Sequence, residues 1–325
     1  MNNEILKISG LKTHFFTGGK IVKAVDGVDL TLKKGETLGI VGESGSGKSV
    51  TSMSILRLIP IPPGKIVAGE ILFNGRNLLS LTEKEMQQIR GNEISMIFQD
   101  PMTALNPSFT IGNQIAEVIK LHQKLPNKEA WQKAIEMLKL VGIPEPGERV
   151  KQYPHEFSGG MRQRAMIAMA LACNPQLLIA DEPTTALDVT VQAQILKLMK
   201  KLQQEFNTSI IMITHDLGVV AETCDNVAVM YAGKCVEYTD VYTLFEKPLH
   251  PYTLGLLASQ PKLGEAKKEK LTPIKGNPPD LGNLKEGCHF YERCPYAQAS
   301  CLKEEPPLRE ITPSHKVACH LGGVK

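Results

Sequence analysis

The stretch LGIVGESGSGKSVTSM, residues 38–53, decides how this chain is read. An apolar run, Leu38-Gly39-Ile40-Val41, breaks into a glycine-rich turn and resumes with a helical pattern. The turn carries G-x-x-x-x-G-K-S: Gly42, then Glu43, Ser44, Gly45 and Ser46, then Gly47, Lys48 and Ser49, with Val50 next in the segment. In a strand–loop–helix context this spacing cradles phosphate: successive N–H groups converge on an anion, and the helix N-terminus adds its positive dipole end. Lys48 would bring a full charge to the β- and γ-phosphates, and the Ser49 hydroxyl suits Mg²⁺. The pattern predicts binding of a nucleoside triphosphate.

Outward from the loop, the bulk properties narrow the possibilities. The 325 residues are 42% hydrophobic and 22% charged, an ordinary globular balance with room for one large domain and an appendage. Lys and Arg total 37 against 34 Asp and Glu, a formal charge of +3 that argues for neither nucleic acid nor an anionic membrane surface as partner. No apolar run approaches the roughly 20 residues needed to span a bilayer. The opening MNNEILKISGLK lacks a signal-peptide core. The expectation is a protein kept in the cytosol, with any membrane role supplied through a partner.

Along the chain, residues 4–41 read as strands with turns at Thr17-Gly18-Gly19 and Lys33-Lys34-Gly35. A helix follows the loop to about Leu58, where Pro60-Ile61-Pro62-Pro63-Gly64 stops it; a strand pair then turns at Asn74-Gly75 after Gly69–Phe73. From about 107 to 152 the period is helical, with Ile111, Ile115, Val118 and Ile119 on one stripe and Trp131, Ile135, Leu138 and Leu140 on the next. We read a helical subdomain, about 102–160, inserted into an α/β core; another crossover layer of that core is the alternative. LLIAD (177–181) and SIIMIT (209–214) are continuous apolar runs of the kind found in parallel sheets. After Leu257 come a charged stretch, GEAKKEK (264–270), several prolines and a cysteine cluster. Domains are therefore expected at 1–260 and 261–325.

Further polar residues stand at predicted strand ends. Asp181 ends LLIAD and could hold Mg²⁺; Glu182 follows as a candidate base for the attacking water, although a DE pair can also cap a helix. Gln99 follows MIF and His215 follows MIT, both placed to reach a γ-phosphate. HEFSGGMRQR, residues 155–164, sets Ser158, Gly159 and Gly160 at the opening of a second helix, another anion-binding terminus.

One triphosphate does not need two such termini in one chain, and here the sequence resembles the ATP-binding cassette ATPases of ABC transporters over about residues 4–260. The resemblance implies a P-loop NTPase fold with a RecA-like core, an antiparallel β subdomain and a helical subdomain. It implies roles for Gln99 (Q-loop), Ser158–Gln163 (signature), Leu177–Asp181 (Walker B), Glu182 (catalysis), Ala186-Leu187-Asp188 (D-loop) and His215 (switch). It also implies an aromatic residue stacking on adenine, for which Phe15 is chosen, with Phe16 beside it. Phe157 replaces the more usual leucine ahead of the signature. In this family the signature of one subunit closes over ATP held by the other, so a second, related ATPase subunit is expected; a homodimer is the alternative. Two permease subunits would be met through the segment after Gln99-Asp100-Pro101, and a substrate-binding protein would act indirectly. Residence is expected at the cytoplasmic face of the inner membrane.

PLHPYTLGLL (248–257) and GNPPDLGNLKEGCHFYERCPYA (276–297) resemble the branch serving dipeptide, oligopeptide and nickel importers. His250-Pro251-Tyr252-Thr253 is read as belonging to an extension that nucleotide chemistry does not require. Of seven cysteines, Cys288, Cys294, Cys301 and Cys319 crowd the last 40 positions. Four thiolates suit a [4Fe–4S] cluster, as that branch's pattern implies; zinc, free thiols or disulfides stay open, as do mixed sites with His289, His315 or His320. Cys173, Cys224 and Cys235 read as small buried apolar residues. The preferred function is ATP hydrolysis driving dipeptide or oligopeptide import, with dipeptide the expected cargo ahead of oligopeptide and nickel. Alternatives are nickel import and a soluble ABC ATPase acting on DNA or ribosomes, although that class carries tandem cassettes or long coiled coils. A GTPase would need N-K-x-D, and Asn127-Lys128-Glu129-Ala130 fails at its last position.

Overall fold

The computed structural model describes residues 3–185, 187–259 and 273–323. The expected D-loop residue Ala186, the boundary at 260/261 and the charged stretch 264–270 lie outside them. Two compact units form, interleaved along the chain: one gathers 1–5, 33–36 and 80–213, the other 6–32, 37–79 and 214–325.

The first unit is built on three parallel strands, in the order Ser209–Ile213, Leu177–Asp181 and Ile94–Ile97. Every residue of SIIMI and LLIAD is buried, as expected for strands covered on both faces. Helices Ile111–Gln123, Asn127–Leu140 and Gly159–Leu171 pack against one another in the same unit. The first begins where the Thr110 side chain accepts the Asn113 N–H at 3.3 Å, and buries Ile111, Ile115 and Ile119 as its periodicity predicts. The second helix forms where predicted and buries Leu138 of the expected stripe, together with residues outside it. Ala130, Ala134, Met137 and Leu138 are buried, whereas Trp131, Ile135 and Leu140 are only partly covered. Alanines let the neighbouring helix approach closely, which an apolar-volume reading of the sequence overlooks.

The second unit holds two sheets. An antiparallel sheet runs in the order Lys20–Lys33, Glu4–Thr17, Gly64–Phe73 and Arg76–Asn77. Its Asn74-Gly75 turn, with both residues at positive φ, suits a two-residue hairpin. The strand Gly64–Phe73 starts five residues before the predicted Gly69, which sits inside it at φ +103°. A Cβ at Gly69 would lie 2.5 Å from the Leu11 Cα, so glycine permits close pairing here instead of ending the strand. The other sheet has the order Arg309–Thr312, His315–Val317, Lys234–Asp240, Asn226–Tyr231 and Thr37–Val41. Helix Lys48–Ile55 follows the last strand and stops three residues short of the predicted Leu58, because Leu56 leaves the helix and Arg57 takes φ +53°. Among the described residues, no helix is long and apolar enough to cross a membrane.

Candidate active site

In the second unit, buried strand TLGIV delivers the chain into the glycine-rich loop. Gly42 adopts φ +150°, and a Cβ there would stand 2.1 Å from the Met230 carbonyl oxygen. Gly47 adopts φ +102°, and its Cβ would meet the Ala24 carbonyl at 2.3 Å. Both positions are therefore closed to any side chain, whereas Gly45 faces open space. Lys48 is buried and folded back, donating from Nζ to the Gly42 oxygen at 2.8 Å and the Glu43 oxygen at 3.0 Å. The buried Ser46 hydroxyl has no partner among the described residues. A glycine-rich turn ahead of a helix N-terminus, a buried lysine folded back on that turn and an orphaned hydroxyl fit an anionic phosphate chain. Ser49 lies in the first helical turn, where a metal-ligating hydroxyl belongs, with Val50 half-buried behind it. Ser44 is exposed beside Gly45.

Also in this unit, Phe15 pairs with Gly64 across the antiparallel sheet, and its ring would lie 3.0 Å from a Cβ there. The neighbouring Phe16 is more open, at 47% exposure. His215 is exposed just after Thr214, whose N–H donates to the Ile40 oxygen at 3.2 Å.

In the first unit, Asp181 ends its strand 6% exposed, and Glu182 follows at φ +46°. A left-handed glutamate is uncommon, and such backbone strain gathers at functional sites. Its carboxylate Oε2 accepts from Gln99 Nε2 at 3.0 Å and from the Thr185 hydroxyl at 2.9 Å. The structure thus brings Gln99 and Glu182 together, and Thr185, which the sequence reading missed, joins them. An acceptor three residues before a hydroxyl was the available signal.

Ser158 caps helix Gly159–Leu171, accepting the Met161 N–H at 3.3 Å, and nothing lies within 4 Å of a Cβ on exposed Gly159. Gly160 is tighter, since a Cβ would meet Val191 Cγ1 at 3.0 Å. Phe157 is 3% exposed, so its position asks only for apolar bulk. Asp188 caps helix Val189–Phe206, accepting the Val191 N–H at 2.9 Å.

The C-terminal extension, read from the sequence as one that nucleotide chemistry does not require, touches the phosphate loop. The Tyr252 hydroxyl accepts the Glu43 N–H at 2.8 Å, and Arg293 bonds the Glu43 carboxylate. Neither contact is foreshadowed locally, since Arg293 lies 250 positions beyond Glu43. Tyr252 is fixed in turn by His250, whose Nδ1 accepts the Tyr252 N–H at 3.1 Å. Burial lowers the His250 pKa to about 4, so the ring is neutral. The fully buried Glu237 carboxylate accepts the N–H groups of Leu249 (2.7 Å) and His250 (2.9 Å) and lies 2.7 Å from His315 Nε2.

Cys288, Cys294, Cys301 and Cys319 do gather, lining one cavity with His320. The cavity is about 10 Å³, room for no more than one water. Among the described residues no three His, Cys, Asp or Glu side chains are arranged to hold a metal ion. The expected [4Fe–4S] cluster, its zinc alternative and the mixed Cys/His site are therefore not carried by the geometry. Burial pushes the Cys288 thiol up to about 11 and the Cys294 thiol upward as well. Cys224 and Cys235 are buried with pKa values of about 12, and Cys173 is half-buried, as small apolar residues should be.

Comparison with known proteins agrees with this layout. Residues 25–185 match the family described as ABC transporter, and 236–301 match the oligopeptide/dipeptide transporter C-terminal region. The oligopeptide transport ATP-binding protein OppD of Bacillus subtilis is 58% identical over 313 residues, 96% of this chain and 87% of the relative. The dipeptide transport ATP-binding protein DppD of the same organism is 54% identical, covering 98% of this chain and 95% of the relative. Among solved structures, the dimeric post-hydrolysis ATP-binding cassette MJ0796, bound to ADP and phosphate, superposes with a TM-score of 0.66 at 29% identity. That match covers 73% of this chain and 98% of the other.

Proposed function

The chain belongs to the ABC transporter family of ATP-binding proteins, and from that premise we propose that it is the ATP-hydrolysing subunit of a peptide importer. One observation carries the cargo class: a single chain holds both the ATPase match and the oligopeptide/dipeptide C-terminal match. Relatives named for oligopeptides and for dipeptides match it at 58% and 54%, so the cargo is stated as peptide; nickel is not favoured.

In the proposed mechanism ATP lays its phosphates in the loop Gly42–Ser49, at the N-terminus of the helix that follows. Lys48 Nζ exchanges the carbonyls of Gly42 and Glu43 for β- and γ-phosphate oxygens. Ser49, Asp181 and Gln99 would hold Mg²⁺, which supplies neutralising charge on those oxygens. Glu182 takes the proton of the attacking water, its carboxylate steered by Gln99 and Thr185. His215 contacts the γ-phosphate, Phe15 stacks on adenine, and Asp188 orders the segment after Glu182. Ser158, Gly159 and Gly160 close over ATP held by a second ATPase subunit, related but not identical, or a second copy of this chain. Two permease subunits at the cytoplasmic face of the inner membrane receive the stroke, and a binding protein delivers the peptide. Residues 1–260 form the ATPase part and 261–325 the extension.

Vesicles containing the assembled importer should take up peptide in an ATP-dependent manner, and Lys48→Ala should abolish both uptake and hydrolysis. Peptide-independent hydrolysis with nickel uptake instead would refute the cargo. The finer reading of Cys288, Cys294, Cys301 and Cys319 as cluster ligands rests on donor type, four thiols within the last 40 positions. About four irons per chain with broad absorption near 400 nm in anaerobic protein would establish it, and their absence would remove it.

A further inference from the structure

The phosphate loop is gripped from the C-terminal segment through its first variable residue. Arg293 donates from Nη1 to Glu43 Oε2 at 2.6 Å and from Nη2 to Oε1 at 2.9 Å, a two-point fork. Its side chain is only 5% exposed, against 28% for Glu43. The guanidinium carbon lies 5.7 Å from the Tyr231 ring centre and 5.9 Å from that of Phe290, and Nε donates to the Lys275 oxygen at 3.0 Å. The fork is therefore held in place before any ligand arrives. Glu43 needs such a hold, because it sits directly after Gly42 in a loop built to receive a triphosphate. A free carboxylate there would repel the ligand, and like charges in a half-buried site cost far more than in bulk water.

We propose that Arg293 is a positioning residue for nucleotide binding, neutralising the Glu43 carboxylate and holding it clear of the phosphate cradle. The C-terminal extension thereby sets the affinity of the loop for ATP. This inference rests on the nucleotide reading of Gly42–Ser49.

The test uses the full-length chain, titrated with a fluorescent ATP analogue plus Mg²⁺ and assayed for kcat and KM. Arg293→Gln should weaken nucleotide binding roughly three- to tenfold, the scale of one uncompensated like charge at a partly solvated site. Its kcat should stay within about twofold, because the loss falls on binding. Adding Glu43→Gln to Arg293→Gln should restore wild-type affinity. A merely structural role for Arg293 would not be rescued by discharging Glu43. The proposal fails if Arg293→Gln binds like wild type, or if the double variant stays as weak as the single. Glu43→Gln alone should bind at least as tightly as wild type; weaker binding also overturns the proposal, and this variant decides the matter should Arg293→Gln not fold. Lys48→Ala separates the two readings. If wild type does not bind, or Lys48→Ala binds equally well, the nucleotide reading falls; if both behave and only the Arg293 series fails, this inference alone falls.

Discussion

The unit carrying the phosphate loop and the unit carrying the signature helix present their functional groups in opposite ways. In the first, the loop is braced from behind: a Cβ at Gly42 or Gly47 would meet carbonyls at 2.1 and 2.3 Å, Lys48 is buried, and Glu43 is held by Tyr252 and Arg293. In the other, Ser158 and Gly159 are exposed, a Cβ on Gly159 would meet nothing within 4 Å, and Val189 beside the Asp188 cap is 82% exposed. A site that binds by itself must be preorganised by its own chain; a surface that completes someone else's site must stay open. The contrast is what the proposed pairing of two ATPase subunits would require.

The contrast can be broken most forcefully at Glu182. Glu182→Gln should keep nucleotide binding while turnover falls by roughly 10²–10⁴, the contribution of a general base. Steady-state hydrolysis beside an equilibrium titration checks this, and unaltered turnover would remove Glu182 from the chemistry. Next come the glycines. Gly42→Ala should destabilise the chain by about 3 kcal/mol or more, since its Cβ would collide with backbone. Gly159→Ala should leave the denaturation midpoint within about 0.5 kcal/mol and still lower hydrolysis by the assembled pair. Equal melting losses in both variants would erase the distinction.

A third effect is pH-dependent and confined to the phosphate-loop unit. Burial holds His250 near pH 4 while the unfolded chain titrates near 6.5, so the unfolded state takes up the extra proton first. Stability contributed by neutral His250 is complete above pH 6.5 and drains as pH falls towards 4, by at most about 3 kcal/mol. His250→Asn preserves an acceptor for the Tyr252 N–H and should flatten that part of the melting profile; an unchanged slope would exonerate the ring. Smallest is Tyr252→Phe, which strips the Glu43 N–H of its acceptor at a cost of about 1 kcal/mol. Thermal denaturation would register it, and no change would mean water replaces the hydroxyl.

Much of this was legible in the sequence where the physics is local. The phosphate loop, the buried strands LLIAD and SIIMI, and the helix carrying Ile111, Ile115 and Ile119 all follow from motif spacing, apolar runs and helical periodicity. What escaped was long-range or permissive. Gly69 looked like a strand boundary because its tolerance for close backbone pairing is invisible without the partner strand. In the helix Asn127–Leu140 the burial of Leu138 was in the pattern, whereas that of Ala130 and Ala134 was not, because alanines bury by proximity and not by bulk. Arg293 gave no signal at all, since a lone arginine in a cysteine-rich tail acquires meaning only when the fold sets it against Glu43.

His315, Glu237, His250, Tyr252 and Glu43 form an unbroken succession of hydrogen bonds from the far strand to the phosphate loop. Cutting the protein short ahead of His315 is therefore no clean amputation. It would leave the Glu237 carboxylate sealed in the interior without its His315 hydrogen bond, and the slackening would pass along those links until it reached the place where ATP is to be gripped.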